Sequence, residues 1–471
     1  MSSDIKNKML TIINSVQFYR DSSNEYYAKY RWNNHEEVAK VSSTRFLAYL
    51  DKSLRSITGK PIVRNWSDLI LMKKQDCELS NAITDVYSRI ANNDKKIVYF
   101  LADDDWRYVE VTKNSCNIVT TSDFLFVKKA NMSEQAEPKF NDKTDKLKKY
   151  VNLQDNSYLL FKINLIQEFF VKSSHYVSVI SSPYGSGKST FTKIWRTIID
   201  PANAEVSILS NNPEDFKVQL ANNIVITLDN TRKLKNEFSD LICGAVTGTS
   251  FSKRTLYTNS EETILRLKNI FIINGIDAIP RNQDLISRSL LFELNPIPDA
   301  KRITESQQWE TFNADLPYIL GDIFNTLSKA LQILETLTLK SSGRMVDATL
   351  EMLAIAIAMG ISEDEFYEIL KENQQRLSLV CSKHNEFVSA IEDYFESLSR
   401  FKIEGKVSDI YRLIKDFKKG DTKYFPKSPS AFSRKMKTEE SALKASGIKF
   451  LTQEKKDGTY ITIIRKKRDE I

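Results

Sequence analysis

Apolar and polar positions change rhythm several times along the chain. Over residues 1–132 the apolar segments are short. Tyr26-Tyr27-Ala28-Lys29-Tyr30, Ile97–Leu101 and Tyr108–Val111 predict strands, whereas Arg45–Ile57 and Trp66–Ile90 carry helical spacing. This is an α+β pattern. The polar stretch Ser133–Lys146, with few apolar residues and Pro138, predicts a linker. From Leu147 to about Pro298 apolar strands alternate with helical segments, the pattern of a parallel α/β sheet. Helical spacing then runs to His384, notably over Leu316–Leu337 and Met345–Met359. The expected divisions are therefore 1–132, 133–146, 147–384 and 385–471.

The last division predicts a compact module. Val407–Phe417 is an amphipathic helix. Ser428 is a candidate N-cap with Pro429 at the first helical position, and the helix Pro429–Ser446 would stop at Gly447. Ile448–Thr452, the turn residues Asp457-Gly458 and Tyr460–Ile464 read as a β-hairpin. Helix, helix and two-stranded wing is the winged helix-turn-helix plan. Its second helix would offer Arg434, Lys435 and Lys437 to DNA, and Arg465-Lys466-Lys467-Arg468 would add backbone contacts. A protein-interaction role is the alternative for such a module.

Charge sharpens this picture. The 471 residues carry a formal net charge of +7. Residues 401–471 alone hold 19 Lys and Arg against 10 Asp and Glu, so the remainder is slightly acidic. A local excess of that size points to a polyanion such as nucleic acid, with a solvated basic tail as the bland alternative. The 41% hydrophobic and 27% charged content is that of a globular protein and excludes disordered or fibrous classes. No apolar run approaches the ~20 residues of a membrane span, and no signal-like core follows Met1. Four scattered cysteines and three histidines make disulfides and structural zinc poor expectations. A cytoplasmic protein without a membrane partner is expected.

The sharpest chemistry lies in Ser182-Pro183-Tyr184-Gly185-Ser186-Gly187-Lys188-Ser189-Thr190, between an apolar strand, Tyr176–Ser181, and a helical segment, Phe191–Ile199. A nucleoside triphosphate needs backbone N–H groups at close range, which glycines permit, and the positive end of a helix. Lys188 would reach the β- and γ-phosphates, and the Ser189 hydroxyl would hold Mg²⁺. Ser182 stands where the usual motif begins with glycine. The apolar strand Ile224–Leu228 ends in Asp229, an acid for the Mg²⁺ hydration shell; a simple strand-end turn is the alternative. Asn230 follows where ring ATPases carry a water-polarising glutamate. An amide can orient water but cannot take its proton. Asp240 is a candidate supplementary acid. A third apolar strand ends in Asn274, and Arg288 lies in Asp284-Leu285-Ile286-Ser287-Arg288-Ser289-Leu290-Leu291-Phe292, with Arg281 its nearest rival. Arg288 could reach across a subunit boundary into a neighbour's nucleotide, or form a structural salt bridge.

Taken in order, SPYGSGKST, VITLDN, FIINGI and DLISRSLLF resemble the helicase clade of AAA+ ATPases, which includes superfamily 3 and MCM helicases. Within it the set is similar to the self-loading, MCM-like replication helicases (Rep or Cch type) of staphylococcal genomic islands and cassettes. The resemblance covers about 150 central residues well. It implies an α/β AAA+ P-loop core, which would stand between the N-terminal α+β part, a collar-like domain in our reading, and the C-terminal winged helix. The implied activity is that of a hexameric, ATP- and Mg²⁺-dependent DNA helicase and replication initiator of a mobile element. Single- and double-stranded DNA and an element-encoded primase or other replication proteins are its implied partners. In this clade the Asn274 position touches the γ-phosphate or attacking water, and Arg288 aligns with the arginine finger. A hairpin between Asp229 and Asn274 would enter the ring pore, with Lys253, Arg254, Arg266 and Lys268 as candidate DNA contacts; a subunit-interface hairpin is the alternative. Arg302 and Arg344 are both candidates for a further phosphate sensor. Asn230 keeps open a second class, an ATPase-controlled DNA-binding regulator that does not unwind. A small-molecule P-loop kinase is disfavoured by the DNA-binding-like tail. The absence of G-x-S-x-G and H-E-x-x-H removes two hydrolase classes.

Overall fold

The structure, a computed structural model, describes residues 3–59, 65–141, 144–183, 185–231, 234–254, 262–275, 280, 282–339, 344–383, 385–398, 401–417 and 425–466. It is a mixed α/β protein with several separate sheets.

The N-terminal part opens with α1 (Ser3–Asn14), the meander β1 (Gln17–Arg20), β2 (Tyr26–Trp32) and β3 (His35–Lys40), then α2 (Thr44–Thr58) and α3 (Ser67–Ser80). The expected helix to Ile90 stops at Ser80 because Asn81 takes a left-handed conformation, φ 52°, and caps it. Short strands β4 (Val86–Tyr87) and β9 (Leu125–Phe126) pair in parallel. Between them lies an antiparallel sheet of β5 (Ile90–Asn92), β6 (Lys96–Phe100), β7 (Tyr108–Thr112) and β8 (Cys116–Val119). Alternation along β6 and β7 sends Ile97, Tyr99, Val109 and Val111 to one face, where they join Phe169, Trp195 and Phe324 in the largest core of the molecule. The core therefore crosses the 132/133 boundary drawn from sequence.

Residues 133–141 are packed rather than loose. The buried Gln135 amide donates to Tyr99 Oη (2.9 Å) and to the Thr197 carbonyl (2.9 Å). The Lys139 N–H donates to the Pro317 carbonyl (2.8 Å), and a Cβ on Gly321 would stand 1.9 Å from the Lys139 carbonyl oxygen. Composition alone could not reveal this, because the partners come from a strand and two helices elsewhere in the chain.

The central part begins with α4 (Asp155–Gln167). A four-stranded parallel sheet follows, built from β10 (Val177–Ser181), β11 (Val225–Leu228), β14 (Ile270–Asn274) and β15 (Ser289–Glu293). Their spatial order is β11-β14-β10-β15, so the Asn274 strand lies between the strands leading to the glycine loop and to Asp229. Ser207 adds a parallel bridge to Leu228 at the outer edge. The connecting helices are α5 (Lys188–Ile199), α6 (Pro213–Asn222), α7 (Asn236–Thr247) and α8 (Gln283–Ile286), and the hairpin β12 (Thr249–Arg254)–β13 (Glu262–Leu267) runs between α7 and β14. Helices α9 (Glu305–Leu334), α10 (Val346–Ala358) and α11 (Glu363–Lys383) complete this part. A capping box at Thr304 and Gln307 starts α9.

The C-terminal part has its own core. It comprises α12 (Glu386–Leu398), β16 (Lys402–Lys406), α13 (Val407–Phe417), α14 (Pro429–Thr438), α15 (Glu440–Ala445), β17 (Ile448–Lys455) and β18 (Gly458–Arg465), with strand order β16-β18-β17. The single helix expected over Pro429–Ser446 is broken at Glu439, whose buried carboxylate accepts from Asn385 Nδ2 (2.8 Å) and Lys435 Nζ (3.1 Å). Among the described residues no helix is long and apolar enough to cross a membrane.

Two carboxyls are buried in the main core. Glu168 accepts from Trp195 Nε1 (2.7 Å) and Asn164 Nδ2 (3.0 Å), and burial raises its pKa well above the ordinary range. Glu351 accepts from Gln167 Nε2 (2.8 Å) and the Ser173 hydroxyl, and burial pushes it up to about 8. Between the ordinary value and about 8 the folded chain holds a proton that the unfolded chain releases, so this group lowers stability as pH rises through that window. Glu351→Gln should therefore raise the melting temperature relative to wild type at pH 8.5 and leave it unchanged at pH 4, read by thermal denaturation. Gly321→Ala should destabilise by about 1–3 kcal/mol, because a methyl group there displaces the 133–141 segment; the same melts read it as a fall of several degrees.

Candidate functional site

The strands of the central sheet all point the same way, so their C-terminal ends gather on one edge. There β10 delivers the chain into the glycine loop. Gly185 and Gly187 both have φ of +76°, a left-handed conformation that side chains resist. Gly187 caps α5, whose first-turn N–H groups face the loop. A Cβ on Gly187 would meet Ile297 Cδ1 at 3.2 Å, and one on Gly185 would meet Arg302 Nη2 at 3.1 Å. The Ser186 hydroxyl donates to the Pro183 carbonyl (2.9 Å), tightening the turn. Lys188 Nζ donates to the carbonyls of Ser182 (2.6 Å) and Pro183 (3.3 Å), so its ammonium is folded over the loop. Thr190 lies in the first turn of α5, and Tyr184 lies outside the described residues.

Ser189 Oγ donates to Asp229 Oδ1 at 3.3 Å. A hydroxyl and a carboxylate at that spacing supply hard oxygen ligands of the kind Mg²⁺ prefers. Asp229 is held by its own N–H donating to the Ser207 carbonyl (3.0 Å). Asn230 then turns left-handed, φ 55°, and its N–H donates to Asn274 Oδ1 (3.1 Å). Asn274 is only 1% exposed, and its Nδ2 donates to Thr192 Oγ1 (2.8 Å), one turn along α5 from Lys188. The Thr231 N–H donates to the Asn274 carbonyl (2.9 Å). One amide thus links the loop helix, the acid-bearing turn and the intervening strand. Thr192 escaped notice in the sequence; its position four residues after Lys188 was the available signal.

The other candidates lie elsewhere. Arg288 precedes β15, and its carbonyl accepts from the Val177 N–H (2.8 Å) at the start of β10. It therefore sits a strand's length, roughly 13 Å at 3.3 Å per residue, from the edge that carries its own loop. Its side chain is 13% exposed and paired with Asp284 (2.5 Å). Arg344 shares Asp284 and donates to Ser287 Oγ (3.2 Å). Of the two further sensor candidates, Arg302 is the one at the loop; its side chain is 56% exposed and pairs with Asp299 (3.2 Å). Asp240 accepts from Asn282 Nδ2 (3.3 Å), at the cap of α8. Arg281 lies outside the described residues.

The β12–β13 hairpin leaves the opposite edge from the loop, because it feeds the start of β14. Lys253 and Arg254 pair by backbone with Thr263 and Glu262, and Arg266 with Ser250; the side chains of Lys253, Arg254 and Arg266 lie outside the description, as does the turn 255–261. Lys268 is at the hairpin's foot, half-buried, with its ammonium bonded to the Lys172 carbonyl, and burial lowers its pKa. It is not on the projecting arm. On α14, Arg434 and Lys437 are exposed one turn apart, whereas Lys435 is paired with Glu439. Lys467 and Arg468 lie outside the described residues.

Residues 147–367, a little under half of the chain, match the model of a family described as actinomycete integrative conjugative element replication protein. Among solved structures, the A-form apo structure of the NrS-1 C-terminal region aligns over 97% of this chain and 98% of its own, with 13% identity and a TM-score of 0.41. A second apo structure of that region aligns over 98% and 99%, with 12% identity and a TM-score of 0.40. No curated protein matches the chain.

Arg302 stands at the glycine loop, whereas Arg344 stands with Asp284 and Ser287. Arg302→Ala should weaken binding of a fluorescent ATP analogue about tenfold to a hundredfold, the worth of one charged hydrogen bond. Arg344→Ala should change it less than twofold in the same titration.

Proposed function

We propose that the protein is an ATP-dependent DNA helicase and replication initiator of a mobile genetic element, built on an AAA+ core. The observation that carries this reading is the strand order, with the Asn274 strand inserted between the glycine-loop strand and the Asp229 strand. It gathers the glycine loop, Asp229 and Asn274 on one edge, which supports reading them as a phosphate cradle, a metal-side acid and a water-orienting amide. The family match over residues 147–367 supports the replication context.

In this reading ATP and Mg²⁺ occupy the loop, and the cation neutralises the phosphate charge that develops during transfer. Gly185, Gly187 and the α5 N-terminus bind phosphate oxygens through backbone N–H groups, with Pro183, Ser186 and Thr190 shaping the loop. Lys188 releases the Ser182 and Pro183 carbonyls and turns its ammonium to the phosphates. Ser189 and Asp229 hold the metal and its waters. Asn274 and Asn230 orient the attacking water, while Arg302 contacts phosphate from the same chain. Arg288 is remote from its own loop, so any nucleotide it serves belongs to a neighbouring copy, as in a homo-hexameric ring. The hairpin with Lys253, Arg254 and Arg266 contacts threaded single-stranded DNA. The C-terminal part, read as a winged helix, meets duplex origin DNA through Arg434 and Lys437. An element-encoded primase or other replication protein is a fitting partner.

Asn230 favours a second reading. The position directly after Asp229 carries an amide and not a carboxylate, which suits slow hydrolysis in an ATP-controlled DNA-binding regulator without unwinding activity. A strand-displacement assay on forked DNA separates the two. The helicase reading expects ATP-dependent unwinding by the wild type. Arg288→Ala should retain ATP binding and lose hydrolysis by tenfold or more, with activity partly restored when it is mixed with Lys188→Ala subunits. Hydrolysis without strand separation would favour the regulator, and full ATPase activity in Arg288→Ala would remove that residue from the site.

A further inference from the structure

A cleft of about 560 Å³ opens between α11 and the C-terminal part, on the side formed by α15 and β17. Lys371 of α11, Lys444 of α15, Lys449 of β17 and Lys466 just after β18 line it, together with Gln374 and Ser378. Among the described residues no acidic side chain lines it. All four lysines are exposed.

Four other cations of the C-terminal part have acidic partners. Lys402 pairs with Glu404 (3.0 Å), Lys406 with Asp457 (2.9 Å), Lys435 with Glu439 (3.1 Å) and Arg465 with Glu396 (2.8 Å). None of the four cleft lysines makes an ion pair among the described residues. Glu372, the neighbour of Lys371, faces away and accepts from Asn156 Nδ2 (3.3 Å). The fold thus collects four like charges from four different elements around one opening and leaves them uncompensated. Like charges so gathered raise the local positive potential, which a polyanion relieves by releasing its own counterions. Amide and hydroxyl groups between them are the neutral donors that accompany lysines at phosphates.

We propose that this cleft is a second phosphate-binding site, which takes the phosphodiester backbone of duplex DNA and straddles the junction between the central and C-terminal parts. It lies outside α14, whose Arg434 and Lys437 are the expected contacts of the C-terminal part. Because Lys371 belongs to α11, backbone held here is bonded to both parts at once and fixes the DNA-contacting unit relative to the nucleotide-binding sheet. The inference rests on DNA as the partner but not on unwinding. Its test is run without nucleotide, so a failure of the helicase reading leaves it intact.

The test is a lysine-acetylation footprint on the full chain, with random-sequence duplex DNA in one arm and inorganic tripolyphosphate in the other. Duplex DNA is expected to protect Lys371, Lys444, Lys449 and Lys466 at least threefold. The variant Lys371→Gln/Lys444→Gln/Lys449→Gln/Lys466→Gln should bind the duplex at least tenfold more weakly. Its log–log salt dependence should be shallower by about three to four, near 0.9 per lost contact. Protection by tripolyphosphate and not by duplex would assign the site to a free polyphosphate instead. Unchanged acetylation of the four lysines under both probes would overturn the proposal, even if the variant bound DNA poorly.

Discussion

The arrangement of the site depends on one buried amide. Asn274 has almost no exposure, and it spends its oxygen on the Asn230 N–H and its nitrogen on Thr192 of the loop helix. Losing either contact strands a buried polar group, at a cost of about 1–3 kcal/mol each. The surroundings leave little freedom to compensate: a Cβ on the next residue, Gly275, would stand 2.1 Å from the Thr231 carbonyl oxygen. The turn bearing Asp229 and the helix bearing Lys188 and Ser189 are therefore registered to each other through a strand that carries neither. Ser189 Oγ and Asp229 Oδ1 are thereby held 3.3 Å apart, two oxygens fixed in advance by the surrounding fold.

Strand polarity then divides labour between the two edges of the sheet. Parallel strands place the loop, Asp229 and Asn274 at their C-terminal ends, and Arg288 and the hairpin foot at their N-terminal ends. The pairing of Arg288 and Arg344 with Asp284 gives both arginines a fixed local address. Any partner that draws Arg288 outward must replace that carboxylate with a competing anion, and a phosphate is a suitable competitor.

Much of this was legible in the sequence where local chemistry decides the outcome. The glycine loop, the apolar strands ending in Asp229 and Asn274, helix Val407–Phe417 and the final hairpin follow from turn residues and periodicity. The rest depended on distant partners. The Trp66–Ile90 expectation overran because the left-handed stop falls on Asn81 rather than glycine. The helix after Pro429 breaks where Glu439 turns inward to Asn385, a contact 54 residues apart in sequence. Residues 133–141 read as a linker because their anchors, Pro317 and Gly321, lie on α9. The approach of Arg302 to Gly185 was invisible for the same reason, since only the folded chain brings the two together.

Arg89 gives the last consequence. Fully buried in the N-terminal part, it bonds Asp200 (3.0 Å) at the C-terminal end of α5, the Pro201 carbonyl (3.1 Å) and the Ser133 carbonyl (2.6 Å). Asp200 also receives Arg196 (3.2 Å). Arg89 also lies over the Tyr99 ring (5.7 Å), which packs against Phe169 and Phe324, so one buried cation joins the far end of the helix that begins at Lys188 to the N-terminal sheet. Exchange of a segment that divides this seam would separate Arg89 from Asp200 and Pro201, leaving a buried cation and a buried carboxylate without each other. As a unit of inheritance the glycine-loop region is longer than its motifs.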